Sequence, residues 1–297
     1  MHSATNARTA SSGLSVHTPG ADRLGNWWLD RRIGEGRWTH VYQARPRGNC
    51  HHADYALKVL KPEYERDPRA AGMLQREAFI ASQVSHPHLI SVLSAHADQP
   101  PFFLVTPRLP GTTARAVLQK WGPLDSPQAL WLVRQTAEAL AELHRHNWLH
   151  ADIKPDNLFV GPNGFVTVFD LGLARPVHEA AGSSYLVGTP AYLPPEAFSA
   201  AQSWSGASDV YSLGVTLYEF LTGVLPFPDA DAETLSAAIL MQPAPDPRRV
   251  VPQVSSRIAL LLRRLLAKDP LRRPLIDELV AWLVDLEIDH FAERCAI

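Results

Sequence analysis

The stretch His150-Ala151-Asp152-Ile153-Lys154-Pro155-Asp156-Asn157, followed shortly by Phe169-Asp170-Leu171-Gly172, constrains this chain more than any other. Within about twenty residues it delivers two carboxylates, an amide and an ammonium on short polar turns between apolar strands. That is a set suited to holding a divalent metal and phosphate oxygens. With 297 residues and 46% apolar composition, there is enough chain to bury a sizeable core in one large domain or two lobes. The 28 basic side chains against 30 acidic ones give a formal charge of −2, which excludes an electrostatic footprint for nucleic acid or an anionic membrane. Two distant cysteines, Cys50 and Cys295, argue against a disulfide framework and for a reducing compartment. Neither a long apolar run nor a secretory layout is found, so a soluble cytoplasmic protein without a membrane anchor is expected.

Residues 1–25, rich in Ser, Thr, Ala and Gly, cannot offset the entropy of ordering and are expected to form a flexible leader, with folding from near Trp27. Gly34 and Gly36 sit in a hairpin where backbone amides can approach a phosphate. The next strand, Tyr55 to Leu60, is apolar except for Lys58, which is costly there unless paired. Glu77 lies among the apolar residues of a helix expected over about 68–84. Phe102 to Val105 reads as a buried strand entering a linker, Thr106 to Gly111. Ser126-Pro127 is expected to open a helix running towards His144. The trio His144, His146 and His150 runs off a helix end into a loop, a poor layout for a metal, and His51-His52 beside Cys50 reads as a solvated connection. Asp209 to Gly223 is apolar nearly all round, the pattern of a helix buried in a lobe and stopped by glycine.

The central stretch resembles the catalytic loop and metal-binding turn of protein kinases, His-Arg-Asp-Leu-Lys-Pro-x-Asn and Asp-Phe-Gly, with Ala151 in place of the Arg and Leu171 in place of the Phe. Gly34, Gly36 and Val41 are similar to the family's Gly-x-Gly-x-x-Gly-x-Val, with Thr39 at the third glycine. Tyr55-Ala56-Leu57-Lys58 is similar to its Val-Ala-Ile-Lys strand, and Gly188-Thr189-Pro190-Ala191-Tyr192-Leu193-Pro194-Pro195-Glu196 to the close of its activation segment. The resemblance covers residues about 27 to 290 and implies an α+β, bilobal fold. A small antiparallel-sheet N-lobe with one helix (26–105) is joined by a hinge (106–111) to a larger, mainly helical C-lobe (112–297).

The resemblance implies a serine/threonine protein kinase that transfers the γ-phosphate of ATP to protein substrates, with autophosphorylation left open. Lys58, paired with Glu77, would meet the α- and β-phosphates. Ile33, Gly34, Gly36, Val41, Ala56, Thr106, Pro107 and Leu109 would line the nucleotide, Thr106 guarding the back pocket, Pro107 offering a carbonyl and Leu109 both backbone groups. Asp152 would orient the acceptor hydroxyl and take its proton, Lys154 would meet the γ-phosphate, and Asn157 and Asp170 would hold magnesium (Mg2+). Asp209 would anchor the catalytic loop and Arg273 would pair with Glu196. Lys154 with Thr189 points to Ser/Thr acceptors. Ala151 cannot read a phosphate as arginine does, so phosphorylation at Ser183, Ser184 or Tyr185 is expected to be unnecessary, or to be read by another cation such as Arg175. Two other classes stay open. A pseudokinase scaffold would bind partners without transfer, although Lys58, Asp152 and Asp170 are all present. A small-molecule kinase would lack the closing segment through Glu196. Detectable transfer separates the first, and the acceptor the second.

Overall fold

A computed structural model describes residues 22–48, 53–177, 188–198, 203–227 and 231–295. The readings made for Cys50, His51 and His52, and for Ser183, Ser184 and Tyr185, lie outside the described residues.

Alternating apolar and polar positions, rich in β-branched and aromatic residues, lay down six antiparallel strands. They are β1 (Asp22–Leu24), β2 (Trp27–Glu35), β3 (Thr39–Pro46), β4 (Tyr55–Leu60), β5 (Ser94–His96) and β6 (Phe103–Pro107), in the order β1-β2-β3-β4-β6-β5. β1 is a correction to the sequence reading, which placed these residues in the flexible leader. Gly25, at φ 56°, turns the chain so that Arg23 pairs with Trp28, and Leu24 packs against Ala44, Leu57, Phe103 and Val105. One apolar side chain with a tight turn suffices to add a short edge strand.

Helix α1 (Pro68–Gln83) starts where the Asp67 carboxylate accepts from the Arg69 amide at 2.9 Å, with proline in its first turn. Its inner face buries Ala70, Ala71, Leu74 and Ile80, and the first three pack on Leu60 and Leu104 of the sheet and on Phe102 just before β6. Glu77 lies on the same buried face. After α1 the chain crosses to the second lobe. The Ile90 amide donates to the Val168 carbonyl at 2.9 Å, and the Val168 amide to the His88 carbonyl at 2.8 Å.

The second lobe is mainly helical: α2 (Ala114–Trp121), α3 (Ser126–Arg145), α4 (Gly206–Thr222), α5 (Ala232–Met241), α6 (Ser256–Leu265) and α7 (Ile276–Cys295). The short strands β7 (Thr112–Thr113), β9 (Leu158–Val160) and β10 (Val166–Val168) form a small sheet under the connector, and β8 (Trp148–Leu149) pairs with β11 (Arg175–Pro176). α3 corrects the sequence reading by one residue, for Asp125 rather than Ser126 is its cap. The Asp125 carboxylate accepts from the Gln128 amide at 2.8 Å, and Gln128 Oε1 accepts from the Asp125 amide at 3.4 Å.

As expected, α4 is buried along almost its whole length, and it is stopped by Gly223 at φ 73°. A methyl group at Gly214 would stand 2.6 Å from Leu265 Cβ, so α4 and α6 meet closely there. Among the described residues no helix is long and apolar enough to cross a membrane.

A candidate active site between the two lobes

Three remote segments meet at Lys58. From β4, its ammonium donates to Glu77 Oε2 on α1 at 2.6 Å and to Asp170 Oδ1 at 2.6 Å. Glu77 is 3% exposed, and this contact resolves the mid-strand lysine of the sequence. Burial alone would push the Lys58 ammonium down, but the Asp170 and Glu77 carboxylates beside it more than offset this and hold it above the ordinary lysine value. Burial raises Glu77 above the usual carboxylate range despite Lys58. Asp170, whose side chain is 37% exposed, is also opposed by burial, yet Lys58 brings it below that range.

Asp152 is the second junction. Its Oδ2 accepts from Lys154 Nζ at 2.7 Å and Asn157 Nδ2 at 2.9 Å, and its Oδ1 accepts from the Thr189 amide at 3.2 Å and hydroxyl at 3.3 Å. Lys154 Nζ also lies 2.5 Å from Thr189 Oγ1, so a hydroxyl already rests between the carboxylate and the ammonium. The Phe169 amide donates to the Asn157 carbonyl at 3.1 Å, which sets Asn157 beside the Asp170 turn. Asn157 Oδ1 takes no hydrogen bond among the described residues, because the amide nitrogen makes the contacts to Asp152. This amide oxygen and the Asp170 carboxylate form a hard oxygen set that fits magnesium, an ion that keeps several of its own waters.

The turn carrying Asp152 is held from below. Asp209, in the first turn of α4 and fully buried, accepts from the His150 amide and the Ala151 amide, each at 2.9 Å, and contacts His144 Nε2 at 2.9 Å. Burial works to raise the Asp209 carboxyl, but His144, His150 and the Ala151 amide together outweigh it and lower it. Ala151 takes φ 64° and Asp170 φ 68°, a left-handed backbone that ordinary side chains adopt only when surroundings enforce it. The three histidines have separate partners: His144 meets Asp209, His146 the Glu142 carbonyl and His150 the Phe169 carbonyl.

Nucleotide-lining candidates flank this centre. Val41 stands opposite Lys58 across β3 and β4, Ala56 is opposite Thr106, and Gly34 lies against Val41 where β2 shifts register. Ile33 is exposed. The Gly36 amide donates to the Thr39 carbonyl at 2.8 Å and Thr39 is buried, so the hairpin closes tightly without its third glycine. Thr106 and Pro107 end β6, Thr106 Oγ1 sits 3.4 Å from the Ala56 carbonyl, and Leu109 makes no backbone hydrogen bond among the described residues. Gly111, at φ 127°, is required, since a Cβ there would fall 2.1 Å from the Val160 carbonyl oxygen.

Two features escaped sequence reading. Thr189 was noted only as an acceptor-class marker, not as a bridge between Asp152 and Lys154. Arg115 of α2 was missed altogether, although it links Asp156, Tyr192 and Glu219. The legible signal was Glu219, an acid in a helix apolar all round.

A sheet lobe that contributes a lysine and a helical lobe that contributes two carboxylate turns define a bilobal kinase. The chain belongs to the protein kinase domain family, whose model matches residues 27–282. It is 33% identical over 254 residues to serine/threonine-protein kinase PknD of Mycobacterium tuberculosis, covering 84% of this chain and 38% of that protein. Similarity to serine/threonine-protein kinase pkn3 of Myxococcus xanthus is 33% over 261 residues (83% and 47%), and to serine/threonine-protein kinase PrkC of Bacillus subtilis 29% over 251 residues (84% and 38%). The chain thus spans less than half the length of these relatives.

Proposed function

We propose that this chain transfers the γ-phosphate of ATP to serine or threonine hydroxyls of proteins, from residues 26–105 acting as N-lobe, 106–111 as hinge and 112–297 as C-lobe. The observation that carries the reading is the junction of Lys58, Glu77 and Asp170, three residues far apart in sequence whose charges meet at 2.6 Å. Phosphoryl transfer depends on position and neutralised charge more than on a strong nucleophile. In this reading Lys58 holds the α- and β-phosphates, while Ile33, Gly34, Gly36, Val41, Ala56, Thr106, Pro107 and Leu109 surround the nucleoside and phosphates. Asn157 and Asp170 hold magnesium, which neutralises phosphate charge when bound. Asp152 orients the acceptor hydroxyl and accepts its proton, and Lys154 meets the γ-phosphate. The Thr189 hydroxyl, between Asp152 and Lys154, supports a hydroxyl of that size as acceptor. The near-neutral composition and two cysteines support a cytoplasmic setting with a protein, not a nucleic acid, as partner.

Intact-mass measurement of the purified chain with Mg-ATP, beside Asp170→Ala, tests the reading. Gains of one or more phosphates, on the chain or on a generic protein acceptor, in the parent alone are expected. Retained ATP binding with no transfer to either would favour a scaffold.

Glu77→Gln keeps shape but removes the charge that steadies Lys58, leaving the ammonium to Asp170. We expect ATP turnover to fall at least tenfold, about 1.4 kcal/mol in the barrier, while the thermal midpoint moves little. Unchanged turnover would remove the pair from the mechanism.

Ala151 replaces the arginine with which relatives of this pattern read a phosphate on the activation segment. That Asp209 holds the loop through the His150 and Ala151 amides supports an order at Asp152 that is independent of such a phosphate. Activity of the Ser183→Ala/Ser184→Ala variant is expected within about threefold of the parent, or roughly 0.65 kcal/mol. A loss beyond tenfold would show that the segment is read by another cation, Arg175 being the first to examine.

A further inference from the structure

Arg115 projects from the first turn of α2 into a cage that the mechanism above leaves unused. Its Nη1 donates to Glu219 Oε1 at 2.5 Å, Nη2 to the Tyr192 hydroxyl at 2.6 Å and to Glu219 Oε2 at 3.3 Å, and Nε to Asp156 Oδ2 at 3.1 Å. The Tyr192 hydroxyl in turn donates to Glu219 Oε2. All three guanidinium nitrogens are therefore engaged in a planar fork, which an ammonium could not reproduce. Glu219 is nearly buried, with 8% of its side chain exposed, whereas Asp156 is 47% exposed and opens the cage to solvent.

The cage stands on the two segments that carry the acceptor machinery. Asp156 is two residues beyond Lys154, and Tyr192 is three residues beyond Thr189, the residue whose hydroxyl lies against Asp152. The Tyr192 amide donates to the Thr189 carbonyl at 2.9 Å and the Asn157 amide to the Lys154 carbonyl at 3.0 Å, so both segments carry the cage within one turn of the acceptor place, a span on the scale of two or three extended residues at about 3.3 Å each. Two carboxylates there, one of them buried, would form a strong site for a basic residue if Arg115 were absent. A tethered group competes at an effective concentration on the order of millimolar or higher, which an acceptor arginine at micromolar concentration does not overcome.

We propose that Arg115 is a specificity-determining residue, filling from within a guanidinium site formed by Asp156, Glu219 and Tyr192, so that acceptors gain nothing from an arginine near the phosphorylated residue. This rests on the protein kinase reading above, but its test does not depend on transfer. Fluorescence anisotropy measures the affinity of labelled acceptor peptides in the presence of a non-hydrolysable ATP analogue. The peptides carry a single arginine, or norleucine in its place, two or three residues before or after the acceptor.

For the parent chain, arginine and norleucine peptides should bind within threefold of each other. For Arg115→Ala, arginine at one or more of these positions should tighten binding at least tenfold. In parallel, 20 mM methylguanidinium should raise the thermal midpoint of Arg115→Ala by more than methylammonium does, and should not raise that of the parent. Should the alanine variant fail to fold, Arg115→Lys, which keeps the charge and loses the fork, undergoes the same measurements. A parent that already prefers arginine tenfold, or variants with no gain for arginine, would overturn the proposal. So would equal effects of the two cations. Failure of phosphate transfer in the intact-mass measurement, with these binding results obtained, would instead overturn the kinase reading and leave the cage in place.

Discussion

Asp152→Asn is expected to lower the rate of phosphate transfer by a hundredfold or more while ATP affinity stays within about threefold. General-base action contributes on the order of 10²–10⁴ in rate, and an amide cannot accept the acceptor's proton. The geometry adds to the loss. Asp152 is 6% exposed, and its two oxygens accept from Lys154, Asn157, the Thr189 amide and the Thr189 hydroxyl. Asparagine offers one acceptor oxygen and one amino group, so either orientation turns a donor towards donors. A buried donor left unmet costs about 1–3 kcal/mol, and the thermal midpoint should fall measurably. Nucleotide affinity should hold because the Lys58 junction and the connector from Thr106 to Leu109 do not contact this side chain. Single-turnover transfer and equilibrium ATP binding, measured on the same preparation, check both parts. A rate within tenfold of the parent would deny Asp152 the role of base.

The second large effect concerns stability. Arg273→Met is expected to cost about 3–5 kcal/mol, the usual penalty for breaking a buried ion pair from one side. Arg273 and Glu196 have fully buried side chains and meet in a fork, Nη1 to Oε1 at 2.7 Å and Nη2 to Oε2 at 2.9 Å. The same guanidinium satisfies the carbonyls of Ala207 and Ala267, each at 2.8 Å, and of Lys268 at 3.2 Å. Methionine would take a donor from each of those oxygens and leave a carboxylate in the core that, among the described residues, keeps the Ser208 hydroxyl, 2.7 Å away, for support. Against a typical total of about 5–15 kcal/mol, such a loss unfolds a visible fraction of molecules at 37 °C. Denaturant midpoints supply the measurement, and the double variant Glu196→Gln/Arg273→Met should lose less than the sum of the two single ones. A single-variant loss under about 1 kcal/mol would contradict the assignment. Glu196 closes the segment that begins at Gly188, so Arg273→Met should also loosen Thr189 at the active site.

Much of this was legible because certain residues have few alternatives. A lysine in an apolar strand requires a countercharge, and Glu77 was the acid on the buried face of the next helix. Asp152, Asn157 and Asp170 stood out because polar turns interrupt apolar strands at short spacing. The burial of α4 and its stop at Gly223 followed from an all-apolar pattern ended by a residue tolerant of positive φ, although the helix opens at Gly206, before the Asp209 at which that pattern begins. What stayed hidden was pairing at long range between side chains that periodicity treats alike. Arg115 sits in a helix with no motif, and its partners Asp156, Tyr192 and Glu219 lie 41, 77 and 104 residues away. His144 read as the end of a helical run and a poor metal ligand, not as the partner of a buried aspartate. The shift of the α3 cap to Asp125 and the strand at Asp22–Leu24 each turn on a few local contacts that composition averages away.

The Asp209 clamp bears on how such a protein changes over generations. The left-handed turn at Ala151 costs roughly 1–2 kcal/mol for a residue with a Cβ, and what opposes that cost is a pair of main-chain amides bonded to an aspartate deep in α4. No side chain at 151 takes part in the clamp. The shape of the loop and the identity of the residue at its apex are thus independent variables. A residue can therefore change at this one position while the two amide bonds that fix the loop stay in place.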